Sequence, residues 1–216
     1  MPMNQFSHKT YYRRNLPHFQ PEGATLFITF RLSNSLPHEV VGRLQVEKDL
    51  AEKRINLMID TSEREKEQLK EQYRLFDLWE NALASVACGE KYLSNPRIAE
   101  LVAESMHYRD GSVYYLEAFC IMPNHVHLVC TPLIGPGGMV YTLSKIMHSL
   151  KRHTARKANQ ILGREGAFWQ HENYDHYIRD AADLERIIEY VLLNPVKAGL
   201  VDDWTHWKWF FCKRNP

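Results

Sequence analysis

The stretch from Val113 to Thr131 constrains this chain more than any other. Val113 to Met122 is a nearly uninterrupted apolar run, Pro123 and Asn124 make a tight turn, and His125 to Thr131 is a second run with β-branched content. Two such runs across a short turn predict a β-hairpin. Within the second run His125 and His127 alternate with Val126 and Leu128, so on a strand both imidazoles leave one face while the aliphatics enter the core. Two neutral imidazoles so spaced can share one metal ion. A pair of half-exposed strand histidines gives the same pattern, and the motif alone does not separate the two.

Around this hairpin the pattern alternates between strands and helices. Ala24 to Leu32 (ATLFITFRL) follows Pro21 and Gly23 and ends at the turn cluster Ser33 to Pro37, which predicts a first strand. Residues 38–87 set leucines among dense charges, with no Pro or Gly between Arg43 and Ala87, and predict two or three helices. A break falls near Asp60, where Ser62 and Glu65 have the spacing of a capping box. Asn95 followed by Pro96 opens a helix running to about His107. Val140, Leu143, Ile146, Met147 and Leu150 recur at helical spacing toward Ile161. A short strand is expected at Tyr174 to Arg179, then a helix capped by Asp180 and ended by Pro195 and Gly199.

That last helix has chemistry on it. Leu184, Ile187, Ile188, Val191 and Leu192 form its apolar stripe, and Tyr190 lies about 130° from the stripe's centre at 100° per residue. Asn194 follows at i+4, so the phenol and carboxamide stack on one side. A carboxamide oxygen is a reasonable hard ligand beside two imidazoles for Mg²⁺ or Mn²⁺. Asn before Pro is also a frequent helix terminator, and a lone tyrosine on a helix is most often an amphipathic surface residue.

Composition narrows the class of molecule. A chain of 216 residues, 44% hydrophobic and 25% charged, suffices for one full core and an added subdomain. The net charge of +1 hides an uneven distribution. Residues 1–37 carry Lys9, Arg13, Arg14 and Arg31 against Glu22, and residues 139–166 carry Lys145, Lys151, Arg152, Arg156, Lys157 and Arg164 against Glu165. The acidic excess is concentrated in residues 38–93. A neutral total therefore coexists with local basic surface. No run approaches the ~18 apolar residues a membrane span needs, and no leader pattern opens the chain, so a soluble, cytoplasmic protein with no membrane partner is expected. The four cysteines, Cys88, Cys120, Cys130 and Cys212, are too scattered for a zinc cluster or disulfide framework.

Taken together, the strings from Phe119 to Val129 (FCIMPNHVHLV), Phe168-Trp-Gln170, Tyr174-Asp-His176, Ile178-Arg179 and Ile187 to Val201 (IIEYVLLNPVKAGLV) resemble the single-tyrosine HUH transposases of the IS200/IS605 group. The similarity is greatest to the REP-associated tyrosine transposases, and Tyr12 to Pro21 and Ala24 to Leu36 resemble that branch as well. The charged stretch from about 40 to 90 is longer than the minimal family core. The resemblance implies His125 and His127 as ligands of Mg²⁺ or Mn²⁺, Tyr190 as the nucleophile that forms a 5′-phosphotyrosine, and Asn194 as third ligand. It also implies single-stranded or hairpin DNA of repetitive extragenic palindrome type as partner. Arg13, Arg14, Lys145, His148, Lys151, Arg152 and Arg179 are the candidate DNA contacts, although a solvated basic face would look the same. Family members often work as dimers exchanging tyrosine helices, while the REP-associated branch includes monomers. The expected fold is α+β: a central antiparallel sheet of ferredoxin-like or RRM-like order with helices on one face, in one domain over 1–216 with a helical insertion at 38–93. Two rivals stand beside the transposase: a domesticated protein of the same fold that holds hairpins without cutting, and an unrelated metal-dependent hydrolase using His125 and His127.

Overall fold

The computed structural model describes residues 11–13, 17–19, 23–85 and 89–213. The chain divides into two compact units, one made of Met1–Ser33 and Lys91–Pro216 and the other of Asn34–Glu90.

The first unit is built on a five-stranded antiparallel sheet. Its strands are β3 (Leu26–Arg31), β4 (Tyr114–Ile121), β5 (His125–Pro132), β6 (Tyr174–Tyr177) and β7 (Phe210–Cys212), in spatial order β6-β3-β5-β4-β7. The four longer strands alternate with helices as β-α-β-β-α-β and lie in the order fourth, first, third, second. This is the ferredoxin-like arrangement, and the α+β class expected from the sequence is the one observed. β1 (Tyr11–Arg13) and β2 (Pro17–Phe19) form a separate two-stranded ribbon.

Strand register assigns the two faces. Leu26, Ile28 and Phe30 of β3 stand opposite Cys130, Leu128 and Val126 of β5, and all six are buried in the main core. Two helices cover this face: α3 (Pro96–His107) through Ile98, Ala99, Val102 and Met106, and α4 (Leu143–Leu162) through Leu143, Ile146, Met147 and Leu150. Asn95 accepts from the Arg97 amide and Thr142 from the Lys145 amide, so both helices begin on side-chain caps.

The hairpin of β4 and β5 carries one irregularity. Leu116 pairs with Cys130 and Ala118 with Val129, leaving Glu117 as an extra residue in a β-bulge. Beyond it Phe119 and Ile121 join the main core, while Ala118 and Cys120 share the opposite face with His127. The last helix, α5 (Ala181–Lys197), sets its Tyr190 ring against Phe27 and His127 on that opposite face. The expected layer of helices on one face is thus α3 and α4, with α5 on the other.

α5 departs from its expected end. Pro195 lies inside the helix, which runs on to Lys197 and closes at Gly199 with φ +65°. The proline forgoes one hydrogen bond, yet Ala198 N–H still bonds the Asn194 carbonyl, and Leu200 N–H reaches back to Pro195.

The second unit is a helical hairpin of α1 (His38–Asn56) and α2 (Thr61–Ser85). Arg54 bridges Glu67 and Glu71 at 3.0 Å each, tying the two helices together. The cap of α2 is Asp60, which accepts from the Glu63 amide at 2.9 Å. The box anticipated from Ser62 and Glu65 therefore begins two residues too late. Among the described residues no helix is long and apolar enough to cross a membrane, and Cys120, Cys130 and Cys212 form no disulfide.

Candidate active site

Residues from β3, β5 and α5 meet on the sheet face opposite the main core. Alternation along β5 sends His125 and His127 to this face, where both are fully buried. Their Nε2 atoms stand 3.1 Å apart. The Asn124 Oδ1 accepts from His125 Nδ1 at 2.7 Å, which leaves the lone pair of that ring on Nε2. His127 Nδ1 is 2.9 Å from the Thr29 hydroxyl, its register partner on β3. A hydroxyl can accept as well as donate, so His127 is likewise able to present its Nε2 lone pair.

Burial holds both rings neutral. It pushes His125 down to about 3 and His127 well below the usual histidine range, in the latter case reinforced by His125 and opposed by a hydrogen bond to the Asn194 side chain. Neutral imidazoles with Nδ1 occupied and Nε2 converging are the donor set a divalent cation needs. The residues present fit such an ion.

Tyr190 and Asn194 arrive from α5 as a pair one turn apart. The Tyr190 ring meets His127 edge-on at 5.6 Å between centroids and Phe27 at 6.1 Å, and Lys197 Nζ lies over the Tyr190 ring, 4.7 Å from its centroid. Asn194 is buried, with its side chain bonded to His127. Tyr190 itself is half-buried. The start of α5 is fixed by Asp183, whose carboxylate meets Arg186, Arg179 Nε at 3.4 Å and His176 Nε2 at 3.5 Å.

The remaining sequence candidates fall elsewhere. Arg14 lies outside the described residues, and Arg13 belongs to β1 without a described side chain. Lys145, His148 and Arg152 are exposed on α4. Lys151 of the same helix is turned inward, donating to the carbonyls of Gln170 at 2.7 Å, His171 at 3.2 Å and Glu172 at 3.4 Å, and burial lowers its ammonium to about 7. His148, Lys151 and Arg152 line a cleft of about 360 Å³ with the 166–173 loop. Arg179 is engaged with Asp183. Sequence reasoning missed Thr29, Phe27 and Lys197. Asn124 had a signal, since it directly precedes the first histidine.

Residues 95–193 match the family model described as "Transposase IS200 like". A Haemophilus influenzae protein described as a REP-associated tyrosine transposase is 29% identical over 97 residues, covering 41% of this chain and 55% of that protein. The chain thus spans about half the length of that relative. A solved structure of a REP-associated tyrosine transposase bound to a REP hairpin superposes with a TM-score of 0.49 and 17% identity, over 92% of this chain and 80% of the other. Residues 95–193, which hold both histidines and the tyrosine, are thus the part of the chain that is similar to the IS200-like transposases.

Proposed function

We propose that the chain cleaves and rejoins single-stranded DNA at hairpin-forming, REP-like sequences, with Tyr190 as nucleophile. The observation that carries this reading is the meeting of Tyr190 with His127, 5.6 Å apart, while Asn194 bonds the same imidazole. Segments of β3, β5 and α5 that are distant in sequence meet there.

His125 and His127 would hold a divalent cation, Mg²⁺ or Mn²⁺, with Asn194 as third protein ligand. When bound, the ion polarises the non-bridging oxygens of the scissile phosphodiester. The residues of the chain do the rest. The sheet face and the phenol position the strand, and Phe27 packs the ring of Tyr190 so that its oxygen is presented at a fixed height. The Tyr190 oxygen attacks phosphorus, the bond to the 3′-oxygen breaks, and a bond from phosphorus to the phenol oxygen forms. The phenolic proton is lost and the departing 3′-oxygen gains one, so the products are a 5′-phosphotyrosine and a free 3′-hydroxyl. The reverse step on another 3′ end rejoins the strand with no external energy source.

Exposed Lys145, His148 and Arg152 supply phosphate contacts for the hairpin, with Arg13 and Arg14 as an additional basic arm. The 38–93 block is an insertion in a single transposase domain, the protein acts in the cytoplasm, and a homodimer is one of its working forms.

The test is incubation of labelled hairpin oligonucleotides with protein and Mn²⁺ or Mg²⁺, followed by denaturing gels. A covalent adduct is expected that disappears in Tyr190→Phe and with chelator. Cleavage without an adduct would transfer the chemistry to a hydrolase using the histidines alone, and binding without either would leave a hairpin-holding protein.

A further inference from the structure

α5 ends in a residue for which neither the packing nor the metal pair has a use. Lys197 is seven residues beyond Tyr190, so at 3.6 residues per turn it shares a helix face with Tyr190 and Asn194. Helical side chains lean toward the N-terminus, and the long lysine stem here runs back two turns. Its Nζ lies 4.7 Å from the centroid of the Tyr190 ring, although its residue is exposed and water is within reach. An ammonium placed only for the helix dipole would stay by the last carbonyls.

Several other cations of this unit are committed elsewhere. Arg179 and Arg186 at the start of the same helix are engaged by Asp183, and Lys151 is taken up by three carbonyls. Among the described residues no carboxylate pairs with Lys197, so its three donors are open to an anion. The chemistry of this position selects which anion. In-line attack by the Tyr190 oxygen brings phosphorus to within ~3.5 Å of it, and the non-bridging oxygens then lie within the sweep of the lysine stem.

We propose that Lys197 binds the scissile phosphodiester directly, as a cation carried on the same helix as the nucleophile. This rests on the reading of Tyr190 as that nucleophile. His125 and His127 face the site from the strand, and Lys197 approaches the phosphate from the helix. Charge that builds on the non-bridging oxygens during attack is met from the helix by the Lys197 ammonium, beside the face where His125 and His127 would hold a cation. After transfer the same ammonium holds the phosphotyrosine diester until the second 3′ end arrives.

Two measurements test it. Single-turnover adduct formation at saturating DNA should fall about tenfold to a thousandfold in Lys197→Gln, and less in Lys197→Arg, with melting temperatures unchanged because the side chain is exposed. Binding is then measured in the Tyr190→Phe background with two oligonucleotides, one natural and one with a neutral methylphosphonate at the scissile linkage. Lys197→Gln should lower the slope of log K against log salt by about 1 on the natural strand and leave it unchanged on the neutral one. An unchanged cleavage rate, or an equal loss of slope on both strands, would overturn the assignment. Failure of the underlying reading looks different: the parent protein with Lys197 intact would form no adduct, or Tyr190→Phe would still form one.

Discussion

Asn124 and His125 are neighbours in the chain and partners in space: the Asn124 Oδ1 accepts from His125 Nδ1 at 2.7 Å. That bond selects the tautomer whose lone pair sits on Nε2, 3.1 Å from Nε2 of His127. Thr29 plays the matching part for His127 from across the sheet. Both Nε2 atoms are thereby turned toward one point on the sheet face.

Replacing Asn124 by Ala should therefore weaken Mn²⁺ binding by about 10- to 100-fold, the usual cost of losing an outer-shell partner. Calorimetric titration of the metal measures it. Affinity for hairpin DNA in chelator should stay within experimental scatter, since Asn124 is buried and makes no surface.

Acid should destabilise the metal-free protein. His125 falls from an ordinary 6.5 to about 3 in the folded chain, because burial penalises the cation. Between those values the unfolded chain binds the extra proton and the folded chain does not, so stability is full above pH ~6.5 and declines as pH falls toward 3. The decline is at most about 1.4 kcal/mol per pH unit for each histidine. Urea midpoints at pH 7.5 and 4.5 in chelator should differ in that direction; a midpoint higher at pH 4.5 would contradict it.

Lys151 and Arg152 should separate structure from binding. Lys151→Ala removes a donor to three loop carbonyls and should lower stability by about 1–3 kcal/mol, read by chemical denaturation. Arg152→Ala on the exposed side of α4 should leave stability within about 0.5 kcal/mol but reduce the salt slope of DNA binding by about 1.

Asp183→Ala should loosen the start of the tyrosine helix. It leaves His176, Arg179 and Arg186 without their shared carboxylate and should cost about 1–3 kcal/mol. Faster hydrogen exchange at the first turns of α5, with β4 and β5 unchanged, would distinguish local release from general unfolding.

Periodicity made much of this legible. The histidine pair and Tyr190 were readable because period 2 on β5 and period 3.6 on α5 state which way each side chain points. Thr29 was not, because its part depends on the register that sets it opposite His127, and register between strands 98 residues apart is written in no local pattern. Lys151 looked like its exposed neighbours until the 166–173 loop placed three carbonyls over it. Pro195 carried the ordinary signal of a helix end, yet the backbone runs past it for two residues. Lys197 consequently stays on the helical lattice in line with Tyr190.

The extra residue at Glu117 works as a parity switch in β4. With perfect alternation Phe119 would stand across from His127, and a phenyl ring would fill the ground beside the imidazoles. One inserted residue hands that place to Cys120 and sends the ring into the hydrophobic interior. The clearance in which α5 lays its phenol against the histidines is in this sense a matter of counting: an odd number of residues where an even one would have closed it.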